Sequence, residues 1–426
     1  MKLASIAGGG SSVGKLTDGK TVFVWGGIPG ETAEIEIFKN NSNFAEGVVK
    51  KIIVKSPYRI EPKDKGYLST SPYQVIDFEK ENQLKKNLIE QAFALHNLSL
   101  PQTDIEKLEI FTDKKDYFYR NKYNYTFVYD SKKSQYSFAV TQRGSHKKIP
   151  VDSISLPSKS IDKYAKEVLK IINSQNIKNI SNLLIRSSKD GEIVARLYIK
   201  SNRENLQGFR DWENLEIAEL DNFTGKKGNT LKVTKSLKLK DNLLGREFSY
   251  CLDSFWQVNL PVYEITLQRI KQFIDQNDEI LDFYSGVGSI GLSIINAAST
   301  GENKQNLKLI DIAKNNYKYA EENAKNIYPS AAAKLSSAGQ SINYITKNSL
   351  LILDPPRAGL SKELVKQINL KKPLRIIYLS CNPATQARDI KNISENYKII
   401  ANYGYNYFCR TPHIEHLAIL DRFTNS

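Results

Sequence analysis

From Ser254 to the C-terminus the sequence alternates short apolar runs with amphipathic stretches, and this alternation limits the fold more than any other feature of the chain. A helix is predicted from near Pro261, where Leu267, Ile270, Phe273 and Ile274 recur at helical spacing. Short buried strands follow: one over 279–283, one ending at Asp311, one at Asp354, one at Ser380, and a last pair near 397–405 and 417–422. Such alternation implies a mostly parallel sheet with helices on both faces. Ligands of these sheets bind outside the carboxyl ends of the strands. The polar residues that close the strands are therefore the candidates for chemistry.

The first strand end carries Gly286, Gly288 and Gly291 in GxGxxG spacing, and Asp311 stands 20 residues past the last glycine. A glycine turn opens space for a nucleoside, and a carboxylate on the next strand accepts hydrogen bonds from ribose hydroxyls. This fits a nicotinamide fingerprint and equally an S-adenosylmethionine site, to which the preceding DFYSG run points. Two later strand ends break the tie. In LDPPRAGL, Asp354 closes a strand, and two prolines stiffen the loop that carries Arg357. In YLSCNP, Cys381 closes the next strand with a thiol in the same crevice. RTPHIEH then adds His413, Glu415 and His416. A lone thiol is usually a small buried hydrophobe, but these groups converge on the functional edge of one sheet.

Upstream the grammar is β-rich. Val22 and Val24, then Ala33, Ile35 and Ile37, then Val48, Ile52 and Val54 alternate in period two, with turns at Asp18-Gly19 and around Gly26, Gly27 and Gly30. They predict a small closed barrel of the kind that grips single-stranded nucleic acid. A helix over 79–97 has an apolar face of Leu84, Leu88, Ile89, Phe93 and Leu95, with Lys85 and Lys86 expected on the outer side. A second β-rich block runs over 117–246, with a hairpin turn at Asp190-Gly191. Between Lys114 and Pro150 nine basic residues face two acids, interleaved with Tyr117, Phe118, Tyr119, Tyr123, Tyr125, Phe127, Tyr129, Tyr136 and Phe138. A basic aromatic surface suits RNA or DNA, while a half-buried sheet with rings inside accounts for some of these residues. The 426-residue chain has a net charge of +15, which favours a polyanionic partner. No apolar run reaches membrane-spanning length, so no membrane role is expected. Cys251, Cys381 and Cys409 form neither a disulfide framework nor a CxxC pair, which points to a reducing cytoplasm. A monomer is the default expectation.

The motifs SFWQVN, DFYSGVGSIGL, LDPPRAGL, YLSCNPATQARD and TPHIEHLAILDR together resemble those of the RNA uracil-5-methyltransferases. The resemblance extends over the whole chain: GGGSSVGKLTDGKTVFVWGGIPGE is similar to that family's N-terminal TRAM barrel, and YRNKYNYTF with RGSHKK to its central domain. It implies a multidomain protein: an OB-like TRAM barrel over 1–56, a central β-rich α+β domain over 57–250, and over 251–426 an α/β Rossmann-like methyltransferase domain with a mostly parallel seven-stranded sheet. The helix 79–97 is expected to pack on the catalytic domain. The partner implied is ribosomal or transfer RNA, in the cytoplasm, and the cofactor S-adenosylmethionine, lined by Gln257, Tyr284, Gly286, Asp311 and Asp354, with Gln340 at the adenine. Cys381 is implied as the thiolate that adds to carbon 6 of uracil, Asp354 and Arg357 as hydrogen-bond partners of the flipped base, and Glu415 as the base that removes the carbon 5 proton, with His413 orienting the loop or serving as the base itself.

The sequence also departs from the family. Leu68, Ser71 and Ser155 stand where iron–sulfur relatives carry cysteines, so no iron–sulfur cluster is expected. Asp311 replaces a glutamate, and a polar insert lengthens the span between Asp282 and Asp311. These departures leave room for an RNA-binding or chaperone protein with a degraded donor pocket. A dehydrogenase rests on the glycine loop alone.

Overall fold

The computed structural model describes residues 1–101, 108–200, 206–220, 227–232, 237–275, 278–296 and 305–423. The polar insert between Asp282 and Asp311 lies mostly outside them. The chain forms two compact units: Met1–Glu81 with Lys115–Leu239 and Cys409–Pro412, and Asn82–Lys114 with Lys240–Phe408 and His413–Ser426.

The first unit opens with a five-stranded sheet in the order Ser5–Ile6, Ser12–Lys15, Thr21–Trp25, Phe44–Val54, Thr32–Asn40. Val22, Val24, Ala33 and Ala45 fill its interior with Leu3. Ile37, Ile53 and Val54 are exposed, so the period-two pattern holds for the first half of these strands and lapses in the second. A bridge between Lys2 and Thr32 links the two edges. The carboxylate of Glu31, fully buried, accepts hydrogen bonds from the Ile28 and Ser56 backbone amides and from Arg59 Nε at 2.6 Å. Arg143, from the RGSHKK loop, stacks 4.1 Å over the Trp25 ring and donates twice to the Leu68 carbonyl. Burial of this guanidinium pushes its pKa down.

The second sheet of this unit runs Lys227–Lys232, Leu215–Leu220, Ile193–Ile199, Ile180–Ser187, Lys122–Asp130, Gln135–Thr141, Lys148–Pro150. The Asp190-Gly191 turn joins two antiparallel strands as predicted, with Gly191 at φ 89°. The helix Lys159–Ser174 packs Ile161, Ala165, Val168 and Ile172 against this sheet. Much of the aromatic series turns inward here. Tyr125, Phe127, Tyr136 and Phe138 belong to this core, and Tyr119 is buried beside Leu156 and Cys409. The expectation of a broad aromatic RNA-facing surface is therefore corrected. Strand pleating sends alternate rings into the interior, and among the described residues only Tyr117, Phe118, Tyr123 and Tyr129 retain substantial exposure.

Around Ser71 and Ser155, where the resemblance led to an expectation of no cluster, the structure places a hydrogen-bonded knot. Asp64 Oδ1 accepts from Ser155 Oγ at 2.6 Å, and its Oδ2 accepts from the Ser155 amide at 2.9 Å and from Gln74 Nε2 at 2.8 Å. Gln74 Nε2 also donates to Ser71 Oγ, and its Oε1 accepts from the Lys63 and Asp64 amides. Asp64, Ser71, Gln74 and Ser155 are all buried. Hydroxyls and an amide committed to one another do not fit an iron–sulfur donor set.

The second unit is built on an eight-stranded sheet. Its order is Ala332–Leu335, Asn306–Asp311, Glu279–Phe283, Ser349–Leu353, Arg375–Ser380, Glu415–Arg422, Tyr397–Tyr405, Ile110–Phe111. The first five strands are parallel, and Glu415–Arg422 runs antiparallel to both of its neighbours. The seven expected strands are thus joined by an eighth, the two residues Ile110–Phe111 that pair with Gly404–Tyr405. The helix Phe78–Ala94 contributes Ile89 and Phe93 to the core of the catalytic sheet. It ends before Leu95, which is 83% exposed. Lys85, expected on its outer face, is fully buried. Its Nζ donates to Asn406 Oδ1 at 2.6 Å and to the Phe408 carbonyl at 3.1 Å, which satisfies the ammonium inside. Among the described residues no helix is long and apolar enough to cross a membrane.

Replacing Asp64 by Ala leaves the Ser155 and Gln74 donors buried without an acceptor. It should lower the stability of the first unit by about 2–4 kcal/mol, read as a lower thermal unfolding midpoint.

Candidate active site

The strand Glu279–Phe283 ends in a turn that only unusual backbone angles can make. Tyr284, Gly286 and Gly288 have φ of 61°, 59° and 85°. For Tyr284 this is a strained conformation of the kind that concentrates at functional sites. Gly291 sits where a Cβ would come within 2.9 Å of Asp282 Oδ2, so glycine there lets the helix Ser289–Ile294 press onto the strand. The Gly286 amide donates to Asp311 Oδ2 at 2.9 Å, and Asp311 Oδ1 accepts from the Ala313 amide and from Asn316 Nδ2. Asn316 Oδ1 in turn accepts from the Phe255 amide at 3.2 Å. Trp256, stacked on Tyr250 and donating to Asp241, anchors this stretch, leaving Gln257 buried and the Phe255 ring 57% exposed beside Gly286. The structure thus gathers Gly286, Asp311 and Phe255 around one turn. Gln340 is placed differently: its Oε1 accepts from the amide and hydroxyl of Ser337, closing its own surface turn.

The thiol and the carboxylate meet through strand register. Ser380 pairs with His416 across antiparallel strands. The ladder ends at that pair, with Cys381 following Ser380 and Glu415 preceding His416, and the Glu415 carboxylate acts on the Cys381 thiol electrostatically. Glu415 is buried and its pKa is pushed well above the ordinary carboxylate value, first by burial and then by Asp354, with Arg357 acting against both. Burial pushes the half-buried Asp354 up to about 7. Cys381, half-buried, is pushed up to about 11 by burial, Glu415 and Asp354, and Arg357 partly offsets this. Three acids thus share one guanidinium in a poorly hydrated crevice. Arg357 is aimed by its surroundings: its carbonyl accepts from Asn382 Nδ2 and Thr385 Oγ1, and its Nη2 lies 3.2 Å from His413 Nδ1.

Sequence reasoning gave no role to three further groups. Asp282 is fully buried. Its Oδ2 accepts from the Gly291 amide at 2.9 Å, Oδ1 has no partner among the described residues, and burial pushes its pKa up to about 8. Its position four residues before Gly286 was the available signal. Gln386 and His416 are also fully buried. Gln386 Nε2 donates to the carbonyls of Tyr378 and His416, so its Oε1 accepts, and His416 Nδ1 carries the proton that meets it at 2.7 Å. Burial pushes His416 down to about 3, leaving it uncharged. This pair ties the strand before Cys381 to the strand that begins at Glu415. The helical spacing of Gln386 after Cys381 hinted at a place facing the sheet.

Comparison with known proteins identifies the family. A family model described as tRNA (uracil-5-)-methyltransferase matches residues 79–423, and a TRAM domain model matches residues 6–50. The chain belongs to the tRNA (uracil-5-)-methyltransferase family. An uncharacterized RNA methyltransferase of Fusobacterium nucleatum is 30% identical and covers 99% of this chain and 95% of its own. Another, of Lactiplantibacillus plantarum, is 26% identical and covers 97% and 94%. The crystal structure of Pyrococcus abyssi tRNA (uracil-54, C5)-methyltransferase in complex with S-adenosyl-L-homocysteine superposes with a TM-score of 0.77 over 99% of both chains, at 20% identity. The protein is an RNA (uracil-5-)-methyltransferase of this family, with a TRAM domain at its N-terminus.

The raised pKa of Asp354 gives a signed expectation. Folded, the group holds its proton up to about 7, against an ordinary value of 3.8. Its stabilising contribution is complete below pH 3.8 and is lost as pH rises through 7. The variant Asp354→Asn does not suffer that loss. At pH 8 it should unfold about 2–4 °C above the wild type, and the difference should vanish near pH 4.

Proposed function

We propose that this protein methylates carbon 5 of a uridine in ribosomal or transfer RNA through a temporary bond between Cys381 and the uracil ring. The observation that carries this reading is the pairing of Ser380 with His416, next to Cys381 and Glu415, at the edge of a sheet in which only the Asp354 strand separates the Cys381 strand from the strand that leads into the Gly286 turn. S-adenosylmethionine, when bound, supplies an electrophilic methyl group. The residues present fit it: Tyr284, Gly286, Asp311 and Phe255 gather at the turn, and the buried Asp282 Oδ1 and Ser285 Oγ have no protein partner among the described residues.

Carbon 5 of uracil is a weak nucleophile. Cys381 loses its proton to solvent on its open side, and its sulfur adds to carbon 6, moving electron density onto carbon 5 and the carbonyl at carbon 4. Arg357, held by Asn382 and Thr385, stabilises the thiolate and then the developing oxyanion. Asp354 hydrogen-bonds the flipped base. Once carbon 5 has taken the methyl group, Cys381 is an uncharged thioether. Glu415, having released its own proton to solvent, accepts the carbon 5 proton. The carbon–sulfur electron pair returns to Cys381, and the 5,6 double bond is restored. Removing the target base from its stack costs a few kcal/mol, which the edge-linked, OB-like TRAM barrel and the basic central domain offset by holding the RNA. Asp311, one methylene shorter than glutamate, still reaches the Gly286 amide, which argues for a working donor site over a degraded one.

Methyl transfer to transcripts of both RNA classes tests the reading. Cys381→Ala should be inactive. Glu415→Gln should turn over at least about 100-fold more slowly while a methylated RNA–protein adduct accumulates on denaturing gels. Turnover by Cys381→Ala, or an adduct-free Glu415→Gln at wild-type rate, overturns it.

A further inference from the structure

With most rings of the central block committed to the core, Phe118 stands out. It is half-buried and adopts φ 55°, a left-handed conformation that a bulky side chain takes only under constraint. Three hydrogen bonds impose it: the Phe118 amide donates to the Ser155 carbonyl at 2.8 Å, the Arg120 amide to the Leu156 carbonyl at 3.0 Å, and the Ser158 amide to the Arg120 carbonyl at 2.8 Å. Ser155 is itself pinned by the Asp64–Gln74 knot. Two cations approach the ring so held. Lys63 Nζ lies 4.4 Å from its centroid and Lys159 Nζ 6.0 Å, and Lys63 also sits 4.9 Å from the Tyr117 ring. Both lysines are exposed, and neither has an ion pair among the described residues. Lys63 and Lys159 start from rigid points: the Lys63 amide donates to Gln74 Oε1, and Lys159 opens the helix capped by Ser158.

We infer that Phe118, flanked by Lys63 and Lys159, is a stacking site for an unpaired nucleotide of the RNA, built entirely from residues of the first unit. This inference rests on the reading of the protein as an RNA-modifying enzyme. The ring offers its face to a base, and the two ammonium groups, mobile on long stems, turn to the flanking phosphates. An aromatic face with cations beside it matches a nucleotide on both counts, where an acidic peptide would use only the charge. The positive φ and the hydrogen bonds around it fix the position from which the ring projects. Stacking is tolerant of base identity, so the site serves grip and register along the RNA and leaves the choice of base to the crevice at Cys381.

The full-length protein binding a short, fluorescently labelled single-stranded oligoadenylate tests the site, because that probe contains no uridine. Phe118→Gly removes the ring and suits the positive φ, so it should bind about tenfold more weakly without a lower unfolding temperature. Phe118→Tyr should bind like the wild type. Equal binding by Phe118→Gly, or a lower unfolding temperature in that variant, overturns the stacking site and leaves the enzymatic reading standing. Failure of the wild type to bind RNA of any sequence would strike the RNA reading itself, and this site with it.

Discussion

The proposed chemistry depends on one pairing, the antiparallel register that joins Ser380 to His416, the neighbours of Cys381 and Glu415. The Glu415 carboxylate pushes the pKa of the Cys381 thiol up, so ionising both at rest is disfavoured. The state of Glu415 itself is governed by burial, by Asp354 and by Arg357. A shift of one residue in the pairing would send both side chains to opposite faces of the sheet.

Much of the packing serves that register. Gln386 and His416 cross-link the two strands in a region without charge, while Tyr378 and the Leu360 amide both donate to Asp389 Oδ2, fixing the DPPRAG loop over the same helix. Lys85, deep in the unit, holds the carbonyl of Phe408 and the amide of Asn406 on the approach to the segment that carries His413 and Glu415. A buried lysine is costly unless fully satisfied, and here two strong acceptors meet it.

The parts of this structure that were legible in the sequence are those encoded locally. The glycine turn, the strand ends at Asp311, Asp354 and Cys381, and the Asp190-Gly191 hairpin each declare themselves within a few residues. The parts that were not legible depend on partners far along the chain. Nothing in two residues at Ile110–Phe111 foretells an edge strand against Gly404–Tyr405. A helical wheel puts Lys85 outside because it cannot know that Asn406 waits inside. Composition cannot sort nine aromatic rings into core and surface, since that requires the pleat of each strand. The hydrogen-bonded knot at Asp64 joins residues far apart in sequence, and only the fold shows that Gln74 reaches Ser71 and Asp64 together.

The most direct test of the central pairing is the reactivity of the Cys381 thiol itself, followed by alkylation with iodoacetamide near pH 8 and peptide mass mapping. Glu415 helps hold that thiol near 11, against an ordinary value of 9. The Glu415→Gln protein should therefore be alkylated at Cys381 severalfold faster than the wild type. Equal rates in the two proteins would contradict the juxtaposition on which the account stands.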